Sequence, residues 1–92
     1  MIQREKEVEA YLRCKVQARG GKCLKISPDF ARGVPDRLVL LPGGVMIWVE
    51  VKRPKGGRLS AIQRVVHSEL RALGQRVEVA WTTEDVDRIL GG

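Results

Sequence analysis

The stretch GVMIWVEVKRP at residues 44–54 constrains this chain more than any other. It reads as a β-strand that is apolar on both faces. A strand of that kind lies inside a sheet with a layer packed on each side. Two charges interrupt it, Glu50 and Lys52, and period-2 geometry puts them on one face. An unpartnered charge is costly to bury, so something else must reach that face.

The rest of the chain supplies the layers. Residues 3–19 have helical periodicity, with Val8, Leu12 and Val16 on one side at about 100° per residue, and Gly20-Gly21 ends that helix. Residues 22–26 form a short strand, and SPDFARGV at 27–34 is a loop. Residues 36–41 and 45–52 are the arms of a hairpin around Pro42-Gly43-Gly44. A basic loop at 53–59 leads to a second helix at 60–73, with Ile62, Val66, Leu70 and Leu73 inward. A strand at 77–81 and a short helix at 83–90, with Glu84 and Asp85 in its first turn, complete the order. The expectation is an α/β fold of order α-β-β-β-α-β-α, with a mixed four-stranded sheet flanked by helices. The 92 residues form one domain.

The hairpin register decides what meets Glu50. If the turn is the three-residue loop Pro42-Gly43-Gly44, opposed residue numbers sum to 86, and Asp36 stands directly across from Glu50 on the same face. Their Cβ atoms are then roughly 4.5–5.5 Å apart. A two-residue Gly43-Gly44 loop would oppose Asp36 to Val51 instead. Directly opposed carboxylates repel unless something neutralises them. Lys52 can neutralise one; a divalent cation between them neutralises both, and oxygen ligands suit Mg²⁺ or Mn²⁺. In the first helix Glu5 and Glu9 fall within the arc of Val8, Leu12 and Val16, whereas Glu7 lies opposite. They either join a shared acidic site or sit at its edge and reach water past Arg13 or Lys15.

Pro35-Asp36, thirteen further residues, then Glu50-Val51-Lys52 resembles the PD-(D/E)XK nuclease signature. With GVPDR opening one arm, VEVK closing the other and LSAIQ starting the next helix, the chain resembles the VRR-NUC family, the virus-type replication-repair nuclease domain, from REKEVEAYL to EDVDRIL. The resemblance implies a restriction-endonuclease-like core and a metal-dependent endonuclease that cuts phosphodiester bonds in branched DNA, such as Holliday junctions, during repair. It implies that Asp36 and Glu50 bind Mg²⁺ or Mn²⁺ with the backbone carbonyl of Val51. Lys52 would be the motif lysine, Gln63 the glutamine of LSxxQ, and Glu5, with Glu9 second, the first-helix glutamate. It also implies a homodimer. Pro28-Asp29 is a second PD pair, rejected because it lies in a loop away from the hairpin register.

Bland readings stand beside these. Glu50, Lys52 and Asp36 could be a structural ion network. Ser60-Ala-Ile-Gln63 reads as a capping box, which gives Gln63 a purely local task. His67, one turn on, reads as solvated, and Trp48 and Trp81 as core. Lysine and arginine number 17 against 11 acids, a net charge of +6 that favours a polyanionic partner, nucleic acid first. Lys22, Lys25, Arg32, Arg37, Arg53, Lys55 and Arg58 include a basic rim, and loop 53–58 is its best segment. Aromatic residues are only 4 %, too few for base-stacking platforms. Cys14 and Cys23 lack zinc spacing and read as free buried thiols in a reducing cytoplasm, that of a prokaryotic or phage-infected cell. The charged start MIQREKEVEA is unlike a signal peptide, and no apolar run reaches spanning length. The alternatives are a catalytically silent DNA-binding module of the same fold and a less structure-selective nuclease. A sequence-specific restriction-type enzyme would need more room for base-reading elements.

Overall fold

The computed structural model describes residues 3–91. Helix α1 (Glu5–Ala18) leads into strands β1 (Lys22–Lys25), β2 (Arg37–Leu41) and β3 (Val45–Val51), then helix α2 (Ala61–Ala72), strand β4 (Val77–Ala80) and helix α3 (Thr83–Ile89). The sheet order is β1-β2-β3-β4. The first three strands are antiparallel and β4 joins β3 in parallel, so the sheet is mixed, as the pattern of elements predicts.

The hairpin has the three-residue turn. Leu41 pairs with Val45 and Arg37 with Val49, so opposed numbers sum to 86. Gly43 and Gly44 both take positive φ, 86° and 77°, which lets a three-residue loop close where a side chain would cost energy. Every residue of β2 and β3 is thereby committed to a face.

One face is a conventional core. Val39, Ile47, Val49, Val51 and Ala80 of the sheet pack against Val8, Leu12 and Val16 of α1 and Val86, Ile89 and Leu90 of the α3 end. Removing each such side chain from water contributes about 1.5–3 kcal/mol. Polar clamps fix the two helices to each other. Tyr11 donates to Asp87 at 2.8 Å, and Gln3 donates to Thr83 Oγ1 at 2.8 Å while accepting from the Thr83 amide at 3.0 Å. The second pair anchors the start of α1, and with it Glu5.

The other face, which carries Leu38, Leu40, Trp48 and Glu50, is covered only by α2. Here the apolar stripe expected of that helix fails. Ile62 is 42 % exposed and Leu73 77 %, while Val66 and Leu70 are half-buried and His67 is buried at 1 %. Helical periodicity finds an apolar stripe, but only the packing shows how much sheet lies beneath it. The helix turns His67 to the sheet and leaves Ile62 and Val65 outward. Trp48 and Trp81 are half-buried, and the Trp48 indole donates to Gln75 at 3.1 Å. The thiols are free, as expected, but not buried: Cys14 is exposed on α1 and Cys23 is half-buried at the core edge.

Gly33 joins α2 to the segment that delivers Asp36. It has φ +83°, and an added Cβ would lie 2.8 Å from both the Ile62 carbonyl and a Val66 methyl. Gly33→Ala is expected to lower stability by at least about 1 kcal/mol from the left-handed backbone alone, with the clash against α2 in addition. Urea denaturation of the two proteins measures the loss.

Candidate active site

Asp36 is the residue before β2, and Glu50 is next to last in β3. The register carries Asp36 across from Glu50, on the face of Trp48. Asp36 stays in the ladder by its backbone, which accepts from Ile26 at 2.9 Å. Its side-chain Oδ1 accepts from the Val51 amide at 3.2 Å, so the carboxylate caps the end of β3. Its Oδ2 lies 3.5 Å from Arg37.

Glu50 is almost fully buried, and Lys52 Nζ stands 3.8 Å from its Oε2. Its other oxygen, Oε1, is buried with no hydrogen-bond partner. Burial is the main force on the titration of Glu50. The nearby Asp36 charge adds to it and Lys52 opposes it, with Glu5 adding further, so the pKa rises to about 7. Asp36 is also pushed upward, chiefly by burial, against the Val51 amide bond and Arg37. Both carboxylates therefore resist ionisation when nothing cationic sits between them.

The two glutamates of α1 separate in space. Glu5, at the helix start, is exposed and close enough to Asp36 and Glu50 to raise the pKa of each. Glu9 instead binds Arg13 at 2.9 Å and Arg37 at 3.3 Å, on the α1 side of the sheet. This corrects the expectation for Arg37. It is not part of a basic rim: it is 8 % exposed, and its guanidinium is held by Glu9 and by Asp36. The odd number that puts it opposite Val49 also puts it on the buried face.

A cleft of about 500 Å³ opens at the start of α1, lined by Gln3, Arg4, Glu5, Arg53 and Lys55, and Glu5 is its acidic member. Arg58 and Arg32 are exposed on the surrounding loops. Gln63 completes the expected capping box, with Oε1 accepting from the Ser60 amide at 2.8 Å and its own amide donating to Ser60 Oγ at 3.2 Å. It lies one helical turn before His67, on the same stripe of α2.

No profile of a known family matches the chain. A protein of Acyrthosiphon pisum secondary endosymbiont phage 1, named "Putative nuclease p44", is 40 % identical over 87 residues, covering 95 % of this chain and 91 % of that one. A solved structure described as a VRR_NUC domain superposes with a TM-score of 0.86 at 33 % identity, covering 95 % of this chain and 94 % of the other. The chain belongs to the VRR-NUC family. The VRR-NUC fold accounts for the order of elements, the mixed sheet and the hairpin that brings the PD and EVK segments together.

The donors present fit a hard divalent cation. The buried Glu50 and the half-exposed Asp36 repel each other, and Glu5 adds negative charge nearby. Among the described residues no group of three or more acidic, histidine or cysteine side chains is assembled for a metal. A cation here would complete its shell from the Val51 carbonyl, water and substrate oxygens, as Mg²⁺ commonly does. The residue that sequence reasoning missed is His67. Its Nε2 lies 3.7 Å from Glu50 Oε1. Its position four residues after Gln63 was the available signal, since that spacing puts both on one helix face.

The raised pKa of Glu50 sets a pH dependence for the metal-free protein. Below about pH 4.5 the group is protonated whether folded or unfolded. Above that the unfolded chain ionises freely, while the folded protein keeps the proton until about pH 7. Stability is therefore lost as pH rises through that window, by about 3 kcal/mol from this group. Glu50→Gln should match wild type near pH 4.5 and exceed it at pH 8 in chelator-treated urea unfolding.

Proposed function

We propose that this VRR-NUC domain is a Mg²⁺- or Mn²⁺-dependent endodeoxyribonuclease that hydrolyses phosphodiester bonds in branched DNA, four-way junctions foremost. The observation that carries this reading is the half-exposed Asp36 standing across the hairpin from the buried Glu50, with Glu5 near both and lining a cleft together with Arg53 and Lys55. Asp36, Glu50 and the Val51 carbonyl would hold the cation, which when bound would supply a water of lowered pKa and Lewis-acid polarisation of the phosphoryl oxygens. Lys52, flanked by carboxylates, orients the attacking water and stabilises charge that builds in the transition state. Glu5 is the first-helix site glutamate, because its charge already reaches both carboxylates. Glu9 serves the fold by holding Arg37 in place. Gln63 caps α2 through its oxygen, which leaves its amino group for the site.

Arg53 and Lys55, with the exposed Arg58 and Arg32, bind phosphates of the duplex arms. Such contacts position DNA without reading its sequence. Binding should then fall steeply with salt. The place of action is the cytoplasm of a prokaryotic or phage-infected cell.

The working unit is a homodimer, and the sheet supports this. Leu24 and Met46 are 42 % and 39 % exposed on the α2 side, beside the half-buried Leu38 and Leu40, and Ile62 and Val65 extend the apolar surface onto the helix. A second copy can cover it by presenting the same residues, as a two-fold interface requires. A 92-residue core also gains from subunit burial. Two sites related by a two-fold axis match a junction that is itself nearly two-fold.

Asp36→Ala and Glu50→Ala should each lower Mn²⁺-dependent cleavage of a labelled four-way junction by at least about 100-fold, or about 2.7 kcal/mol of barrier. Full activity in either variant would overturn the site. Glu5→Gln should slow cleavage more than Glu7→Gln, whose carboxylate at the helix start only accepts from the Arg4 amide. Light scattering should give twice the chain mass. In mixtures of wild type and Asp36→Ala, single nicks should replace paired ones. A monomer that cuts linear duplex as fast as junctions would leave a less selective nuclease. DNA binding without cleavage in any metal would leave a silent binding module.

A further inference from the structure

Three buried side-chain atoms among the described residues have no hydrogen-bond partner: Glu50 Oε1, His67 Nδ1 and His67 Nε2. Buried polar groups are nearly always paired, so a cluster of exceptions needs a cause. These three are neighbours. His67 Nε2 stands 3.7 Å from Glu50 Oε1, too far for a hydrogen bond and near enough to become one with a shift of about 1 Å. The imidazole is 1 % exposed and enters the sheet face from α2, one turn after Gln63. A neutral imidazole has one N–H to give.

The two oxygens of Glu50 face different groups. Oε2 looks toward Lys52 at 3.8 Å, and Oε1 toward His67. Building on the nuclease reading, we propose that His67 is a positioning residue for Glu50. Its Nε2–H donates to Oε1 once the carboxylate is ionised for a divalent cation, which holds the side chain in one rotamer and leaves Oε2 for the ion. A charge-assisted bond of this kind is shorter and stronger than a neutral one. Groups that orient metal ligands from behind commonly affect metal affinity 10–100-fold. The alternative is that His67 merely fills space beneath α2, which an apolar side chain of similar size would do as well.

The test has two arms on the full chain. The first needs no metal: long-range ¹H–¹⁵N spectra at pH 8 read the His67 tautomer in wild type and in Glu50→Ala. The expected result is the Nε2–H form in wild type and a changed nitrogen signature in the variant. An Nδ1–H tautomer, or no response to Glu50→Ala, overturns the proposal. The second arm titrates Mn²⁺ calorimetrically into wild type, His67→Phe and His67→Gln, with thermal unfolding as a check. His67→Phe keeps a planar ring, somewhat larger, and loses the donor, and should weaken Mn²⁺ binding by about 10–100-fold. His67→Gln keeps a donor and should restore most of it. His67→Leu replaces the phenylalanine variant if that one does not fold. Wild-type affinity in a folded apolar variant, or no rescue by glutamine, overturns the positioning role. If wild type itself binds no Mn²⁺ while the tautomer still responds to Glu50→Ala, the metal-nuclease reading has failed, and the positioning role falls with it for that separate reason.

Discussion

Two carboxylates on opposed strands repel, and in this domain one of them, Glu50, is almost fully buried. The rest of the structure depends on that constraint. Asp36 is restrained by the Val51 amide and Arg37, while Glu50 is left with one buried oxygen unanswered. A sheet chosen for stability alone would put an apolar residue at position 50, as at 47, 49 and 51. The metal-free fold instead holds a group whose ionisation is disfavoured until about pH 7. On the proposed function, a cation bound there would relieve both the repulsion and the cost of the buried charge.

The two faces of the sheet divide the work. On the α1 and α3 side, aliphatic packing and the Gln3–Thr83 and Tyr11–Asp87 clamps make a rigid layer. The α2 side is thinner and more polar, and holds Glu50, Lys52 and His67. Arg37 and Glu9 show the division in one pair. Each could have been a site residue by type, yet they neutralise each other on the α1 face. Gly33 couples the halves, since it sets the loop leading to Asp36 directly against the first turns of α2.

The basic loop and the start of α1 meet at the open end of the sheet, where the hairpin arms finish. The result is a cleft that Glu5 shares with Arg53 and Lys55. Local pairing of opposite charge beside a net charge of +6 suits a polyanion whose backbone must lie near a cation site. The surface needs no base-reading element to do this.

The sequence alone determined the order of elements and the mixed sheet, because apolar periods of 2 and 3.6 mark strands and helices by local rules. It left two hairpin registers open, and the structure selected the three-residue Pro42-Gly43-Gly44 turn that opposes Asp36 to Glu50. Family membership was legible for the same reason: its motif is carried by short segments at fixed places in that order. Tertiary structure decided what local rules do not contain. It withdrew Arg37 from the basic rim, since burial depends on which helix covers its face. It separated Glu5 from Glu9, one turn apart in sequence, according to which charges lie opposite each. It rotated α2 so that His67, not Ile62 or Leu73, meets the sheet. A helix's apolar stripe states a preference, and the shape and polarity of the surface beneath it decide which side chain is buried.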